Sequence, residues 1–322
     1  MSKKLFSKAN LIWLVIILVF YALTEVLITT GVINSYWKAT IFTIFINIIL
    51  AVSLNLIVGI CGQFSLGHAG FMAIGAYSAG VITRMMPNYG GFVLGILVGF
   101  AISIVAALIV SIPTLRLQGD YLAIATLGFS EIIRIVIQNM KITNGAAGLT
   151  GIPVLTNWTI LFFCTVISIM ICTNFVRSAH GRACISVRED EIASEAMGIN
   201  TTKYKVIAFV IGACLASLAG ALFANNFYVL NPSQFTFNKS IDILVMVVFG
   251  GMGSMSGSVV AAVLIGLLNM YLQQFTDLRM IIYGAALVLM MIFKPGGILG
   301  TWEFSLERLL NKMKKRKEPA DA

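Results

Sequence analysis

Apolar residues run in long blocks along this chain, parted by short polar joints. Blocks at 11–28, 39–60, 66–84, 91–112, 121–139, 158–176, 206–228, 241–252, 257–274 and 279–294 predict membrane helices, since about 20 apolar residues span a hydrocarbon core of about 30 Å. The blocks at 66–84, 121–139 and 241–252 are weaker, because glycine, serine or charge interrupts them. Read as one helix, 241–274 would run about 50 Å, so a break is expected in the glycine-rich Gly250 to Gly257 (GGMGSMSG). The predicted fold class is all-α: a polytopic helical membrane protein of about ten membrane segments, or eight if 66–84 and 121–139 turn back without crossing. It is read as one transmembrane domain over 1–322, with a cytoplasmic loop at 177–205 and a basic tail at 303–322. Lys3, Lys4 and Lys8 precede the run from Leu11 to Ile28 in the manner of a signal peptide. That run exceeds an ordinary signal core and no small-residue cleavage site follows, so it is taken as a first span with a cytoplasmic N-terminus.

Composition supports this picture. Of the 322 residues 59% are hydrophobic and 11% charged, with a mean hydropathy of +0.95, against roughly 25% charged in soluble domains. The net charge of +9 sits at both ends and in one central loop, which membrane topology explains and nucleic-acid binding does not. If both termini and 177–205 face the cytoplasm, sixteen of the 22 Lys and Arg lie inside, as the positive-inside rule requires. The five cysteines (Cys61, Cys164, Cys172, Cys184, Cys214) have neither metal-ligand nor disulfide spacing, so no metal site is expected.

Four features carry candidate chemistry. Residues 62–80 (GQFSLGHAGFMAIGAYSAG) combine small and polar residues, Gly62, Gln63, Ser65, Gly67, His68 and Gly70 among them. Such a segment either packs tightly on another helix or lines a pathway. Gly95 with Gly99, and Gly212, Ala216, Gly220 and Ala224, form small-residue faces for close packing. The intramembrane charges are Glu131, Arg134 and Asp242. Glu131 and Arg134, three apart, either pair with each other or serve translocation, and so few buried ionisable groups argue against a proton-coupled carrier. In the loop, Glu189, Asp190, Glu191 and Glu195 begin a short helix on which Ile192, Ala196 and Ile199 form an apolar face, closed by Gly198. It either lies on the bilayer or docks into a groove of a partner, and its acidic residues favour the partner. The sequence contains no GxxxxGK[ST], GxSxG or HExxH, so neither an ATPase site nor a hydrolase is indicated.

Taken in order, five motifs resemble the permease subunits of branched-chain amino-acid ABC importers of the LivM type. They are 62–80, LRLQGDYLAIATLGFSEIIRIVIQN at 115–139, TNGAAGLTGIP at 143–153, REDEIASEAMGIN at 188–200 and VVFGGMGSMSGS at 247–258. The resemblance spans roughly Asn47 to Gly300 and favours ten spans. It implies a second permease of the LivH type, two cytoplasmic ATPases that bind the ATP, an extracytoplasmic binding protein and a bacterial inner-membrane location, with no cofactor on this chain. It also implies that Glu195, Ala196 and Gly198 match an ATPase-coupling signature, with Glu191 and Met197 in the same stretch. Two alternatives remain: an importer of an amide or urea-like solute by the same mechanism, or a self-sufficient secondary carrier. The glycine-punctuated blocks at 62–80 and 250–266 hint at an internal repeat.

Overall fold

The computed structural model describes residues 8–31, 34–114 and 119–272, with scattered positions between 281 and 300. Almost all of it is helix: α1 Lys8–Thr29, α2 Ser35–Asn55 with a π-helical turn Leu56–Ile60, α3 His68–Met85, α4 Tyr89–Thr114 and α5 Asp120–Asn139. There follow α6 Trp158–Arg177, α7 Ala179–Glu189, α8 Glu191–Ala196, α9 Thr201–Ala224, α10 Phe237–Gly250 and α11 Met255–Leu272. One antiparallel ladder of two residues per strand pairs Leu149 with Leu230 and Thr150 with Val229. The first nine predicted segments fall on α1 to α6 and α9 to α11. The tenth is described only in part, with its described positions from 281 to 293 helical, and the basic tail from 303 lies outside the described residues.

Among the described residues, five helices are long and apolar enough to cross a membrane: Ser35–Ile60, Tyr89–Thr114, Trp158–Arg177, Thr201–Ala224 and Met255–Leu272. α10, with 14 residues, is only about 21 Å long. The break expected in the glycine-rich stretch is present, since α10 ends at Gly250 and α11 begins at Met255.

Hydropathy alone does not rank these helices by position, but burial does. The apolar windows of α2 and α9 are 83% and 67% buried, against 28% for α4 and α6. The molecule is therefore organised on α2 and α9, which pack on each other. Each carries a helical hairpin: α3 and α4 lie on α9, while α10 and α11 lie on α2.

The two hairpins share a short sequence likeness that sets 233–251 beside 62–80, in addition to the glycine-punctuated block at 250–266. Gln63-Phe64-Ser65 leads into α3 as Gln234-Phe235-Thr236 leads into α10. Six residues after each glutamine, the Ala69 N–H donates to Ser240 Oγ at 3.2 Å. Contact between equivalent positions is what a local twofold axis produces.

Glycine sets the closest approach in the structure, that of α3 to α9. A Cβ on Gly75 would stand 1.9 Å from the carbonyl oxygen of Ser217, and one on Gly220 would stand 1.9 Å from that of Met72. In lipid, apolar side chains gain little by leaving one hydrocarbon surface for another, so close backbone packing holds the helices together. Gly75→Val and Gly220→Val are each expected to cost at least about 3 kcal/mol. Thermal melts in detergent, with Gly90→Ala as a near-neutral control, check this.

Candidate coupling site

α2 does not end cleanly. It widens into the π-helical turn at Leu56–Ile60, and the chain reverses at Gly62, whose φ of +71° suits glycine. The Gln63 N–H donates back to the Ile57 carbonyl at 3.1 Å. Three segments distant in sequence meet here. The Arg188 guanidinium, on the last turn of α7, donates through Nη1 to the Gly59 carbonyl at 2.6 Å. Asn55 clasps the loop between α10 and α11, accepting from the Gly253 N–H at 2.9 Å and donating to the Ser254 carbonyl at 2.8 Å. A Cβ on Gly62 would stand 2.8 Å from Arg188 Cγ, and one on Gly59 would stand 2.3 Å from the Gly253 nitrogen. The first, fourth and fifth sequence motifs thus meet at one end of α2. Arg188 and Asn55, which join them, were not singled out from sequence, because neither belongs to a periodic or glycine-rich pattern.

The loop at 177–205 contains two helices where one was expected. Ser178 caps α7 by accepting from the Gly181 N–H at 3.2 Å, and Asp190 caps α8 by accepting from the Ala193 N–H at 2.9 Å. Gly198, at φ +83°, ends α8. Its N–H donates to the Glu195 carbonyl and that of Ile199 to the Ser194 carbonyl, at 2.9 and 3.0 Å, the paired closure that a left-handed residue allows.

The predicted apolar face does not pack inward. Ile192 and Met197 are each 82% exposed, Ala196 is exposed and Ile199 half-buried, while Ser194 is the buried residue of α8. The inward ties are polar. Glu191 is ion-paired with Lys205, Glu195 accepts from Thr201 Oγ1 at 2.8 Å, and Ser186 and Ser194 share a hydrogen bond of 2.8 Å. Glu191 and Glu195 therefore hold the tip onto α9, leaving Ile192, Ala196, Met197 and Gly198 facing outward.

The remaining sequence-selected residues are spread along the core. Gly67 and Gly70 lie against α5, where added Cβ atoms would come within 2.7 Å of the Thr126 carbonyl oxygen and 2.9 Å of Ser130 Cα. The Ser65 hydroxyl accepts from the Gly67 N–H at 3.4 Å. His68 Nε2 is 2.7 Å from Ser53 Oγ, while His68 Nδ1 and the Gln63 amide are buried without a hydrogen-bond partner. Glu131 and Arg134 pair at 2.7 Å, and Asp242 is half-buried on α10. Among the described residues no cluster of three His, Cys, Asp or Glu side chains is arranged to hold a metal ion.

With this geometry in place, comparison with known proteins is informative. Residues 37–291 match the family described as branched-chain amino acid transport system / permease component. The chain belongs to this permease family. It is 36% identical over 290 residues to the high-affinity branched-chain amino acid transport system permease protein LivM of Salmonella typhimurium, covering 79% of this chain and 68% of that protein. It is also 26% identical over 282 residues to the LivH permease protein of the same organism, covering 78% and 90%. A probable branched-chain amino acid transport permease protein LivM of Methanocaldococcus jannaschii is 24% identical over 311 residues, covering 78% and 89%. No solved structure matches. The permease is thus a multi-pass membrane protein, and its glycine-rich loops and capped tip fall within the matched region.

Replacing Arg188 by Ala strips the Gly59 carbonyl of a charged donor and loosens α7 from α2. A loss of about 1.5–3 kcal/mol is expected, with faster proteolytic cleavage within 178–200 in detergent-solubilised permease.

Proposed function

We propose that this chain is the membrane-spanning subunit of an importer that carries branched-chain aliphatic amino acids into the cell on energy from separate ATPase subunits. The chain itself binds no nucleotide, since it lacks a phosphate-binding loop. Its partners are two cytoplasmic ATPases, a sibling permease of the LivH type and an extracytoplasmic binding protein. Similarity to both LivM and LivH proteins supports the pairing.

The outward-facing tip of α8 carries this reading. Ile192 and Met197, two large apolar side chains each 82% exposed, project from a segment held by two caps and three polar ties. A solvated loop has no use for such anchors, whereas a partner groove does. Arg188 then connects the tip to the end of α2, so a displacement of α7 and α8 by closing ATPases reaches the central helix through one guanidinium and the Gly59 carbonyl. Ile192→Glu and Met197→Glu are expected to leave membrane insertion intact and to lower copurification of the ATPase subunits and amino-acid uptake at least tenfold. Glu195→Ala, which removes only an internal tie, should act more mildly. Unchanged ATPase copurification in both glutamate variants would refute the docking assignment.

In this reading all ten segments cross a bacterial inner membrane, with both termini and residues 177–205 in the cytoplasm. The lysine and arginine distribution supports that orientation. A fluorescent protein that matures only in the cytoplasm should be bright when fused after residue 322 and dark when inserted after Lys141.

A further inference from the structure

The Glu131–Arg134 pair lies level with the middle of the membrane-length helix α4. Gly99 of α4 packs on Gly75 of α3, and Gly70, five residues earlier on α3, packs on Ser130 of α5. Counting back along the antiparallel α4 puts Ser130 level with about Ile104, close to the centre of the 26-residue crossing Tyr89–Thr114. Phe129 supports the same level, since it shares a groove with Ala101, Ile102, Val105 and Ala106.

At that depth the pair is not enclosed. The Arg134 and Glu131 side chains are 23% and 28% exposed, and Arg134 Nη1 donates to Gln138 Oε1 at 3.2 Å along the same face. Gly128, one turn earlier, has nothing within 4 Å of where a Cβ would sit. It leaves a notch beside the charges, flanked by Ile124 and Ile135, which are 65% and 49% exposed. Charges exposed to this degree at the centre of a bilayer cannot face lipid and must meet water, protein or a polar solute.

We infer that this face of α5 lines the route of the transported molecule, and that Glu131 and Arg134 receive the α-ammonium and α-carboxylate of a zwitterionic amino acid while its aliphatic side chain rests in the notch at Gly128. The inference relies on the proposed function for the class of cargo and for α5 as a membrane segment. A guanidinium offers forked donors to a carboxylate, and the adjacent carboxylate complements the ammonium group. Partial exposure permits the pair to open toward an arriving zwitterion, which a fully enclosed pair would not.

The test uses the complete importer in proteoliposomes loaded with ATP, with leucine as the probe. Glu131→Gln and Arg134→Gln, in complexes that copurify with every partner, are each expected to lower leucine uptake at least tenfold. The reversed pair Glu131→Arg/Arg134→Glu should not restore it, because the zwitterion would meet the charges in the wrong order along the route. Reversal or double neutralisation with uptake within twofold of the parent would overturn the inference, since a pair that serves only itself tolerates both. If these variants fail to assemble, Gly128→Cys decides. Reaction with a membrane-impermeant thiosulfonate, slowed by leucine, is expected, and an inert thiol would overturn the inference. A parent complex that ignores leucine while Gly128→Cys still reacts would instead refute the proposed cargo.

Discussion

A helix interrupted within a membrane frees backbone donors and acceptors that hydrocarbon cannot satisfy, and this permease interrupts its helices beside its central element. Between α2 and α3, and again between α10 and α11, side chains from elsewhere in the chain capture the freed groups. Asn55 meets both a donor and an acceptor of the 251–254 loop, and Arg188 meets the Gly59 carbonyl. Both breaks are gathered at one end of α2, and the 178–200 loop helps to hold that end through Arg188.

That dependence unites packing and proposed coupling. α9 follows α8 directly and is the second central helix, itself locked to α3 through Gly75 and Gly220. A force on the α8 tip therefore has two stiff routes inward, along α9 through the Glu191 and Glu195 ties and into α2 through Arg188. Helices approaching at backbone distance cannot deform gradually, and they transmit displacement as rigid bodies. The hairpins carried by α2 and α9 meet where the Ala69 N–H donates to Ser240 Oγ, so the two groups of helices touch beside the central pair.

The two acidic clusters illustrate how one residue type serves different ends. On α8 the carboxylates tie back to basic and hydroxyl partners on α9 and steady the tip. On α5 a single carboxylate is paired with an arginine one turn away, on a face that the described residues leave partly open.

The sequence by itself determined the apolar segments, the breaks between them, the class of protein and the stretch at which helix α8 ends, because these are local. About 20 apolar residues suffice for a membrane helix, and Gly198 adopts a left-handed conformation that few other residues tolerate. The glutamates and Gly198 of the tip and the small-residue faces were legible in the same way. Tertiary structure alone decided that α2 and α9 are central and that Arg188 and Asn55 join three motifs. It also left Ile192 exposed and brought Ala69 against Ser240. The physical reason is that apolar residues are almost equally stable against lipid or against another helix. Hydropathy therefore shows what enters the membrane, while steric fit and the capture of freed backbone groups decide which surfaces meet there.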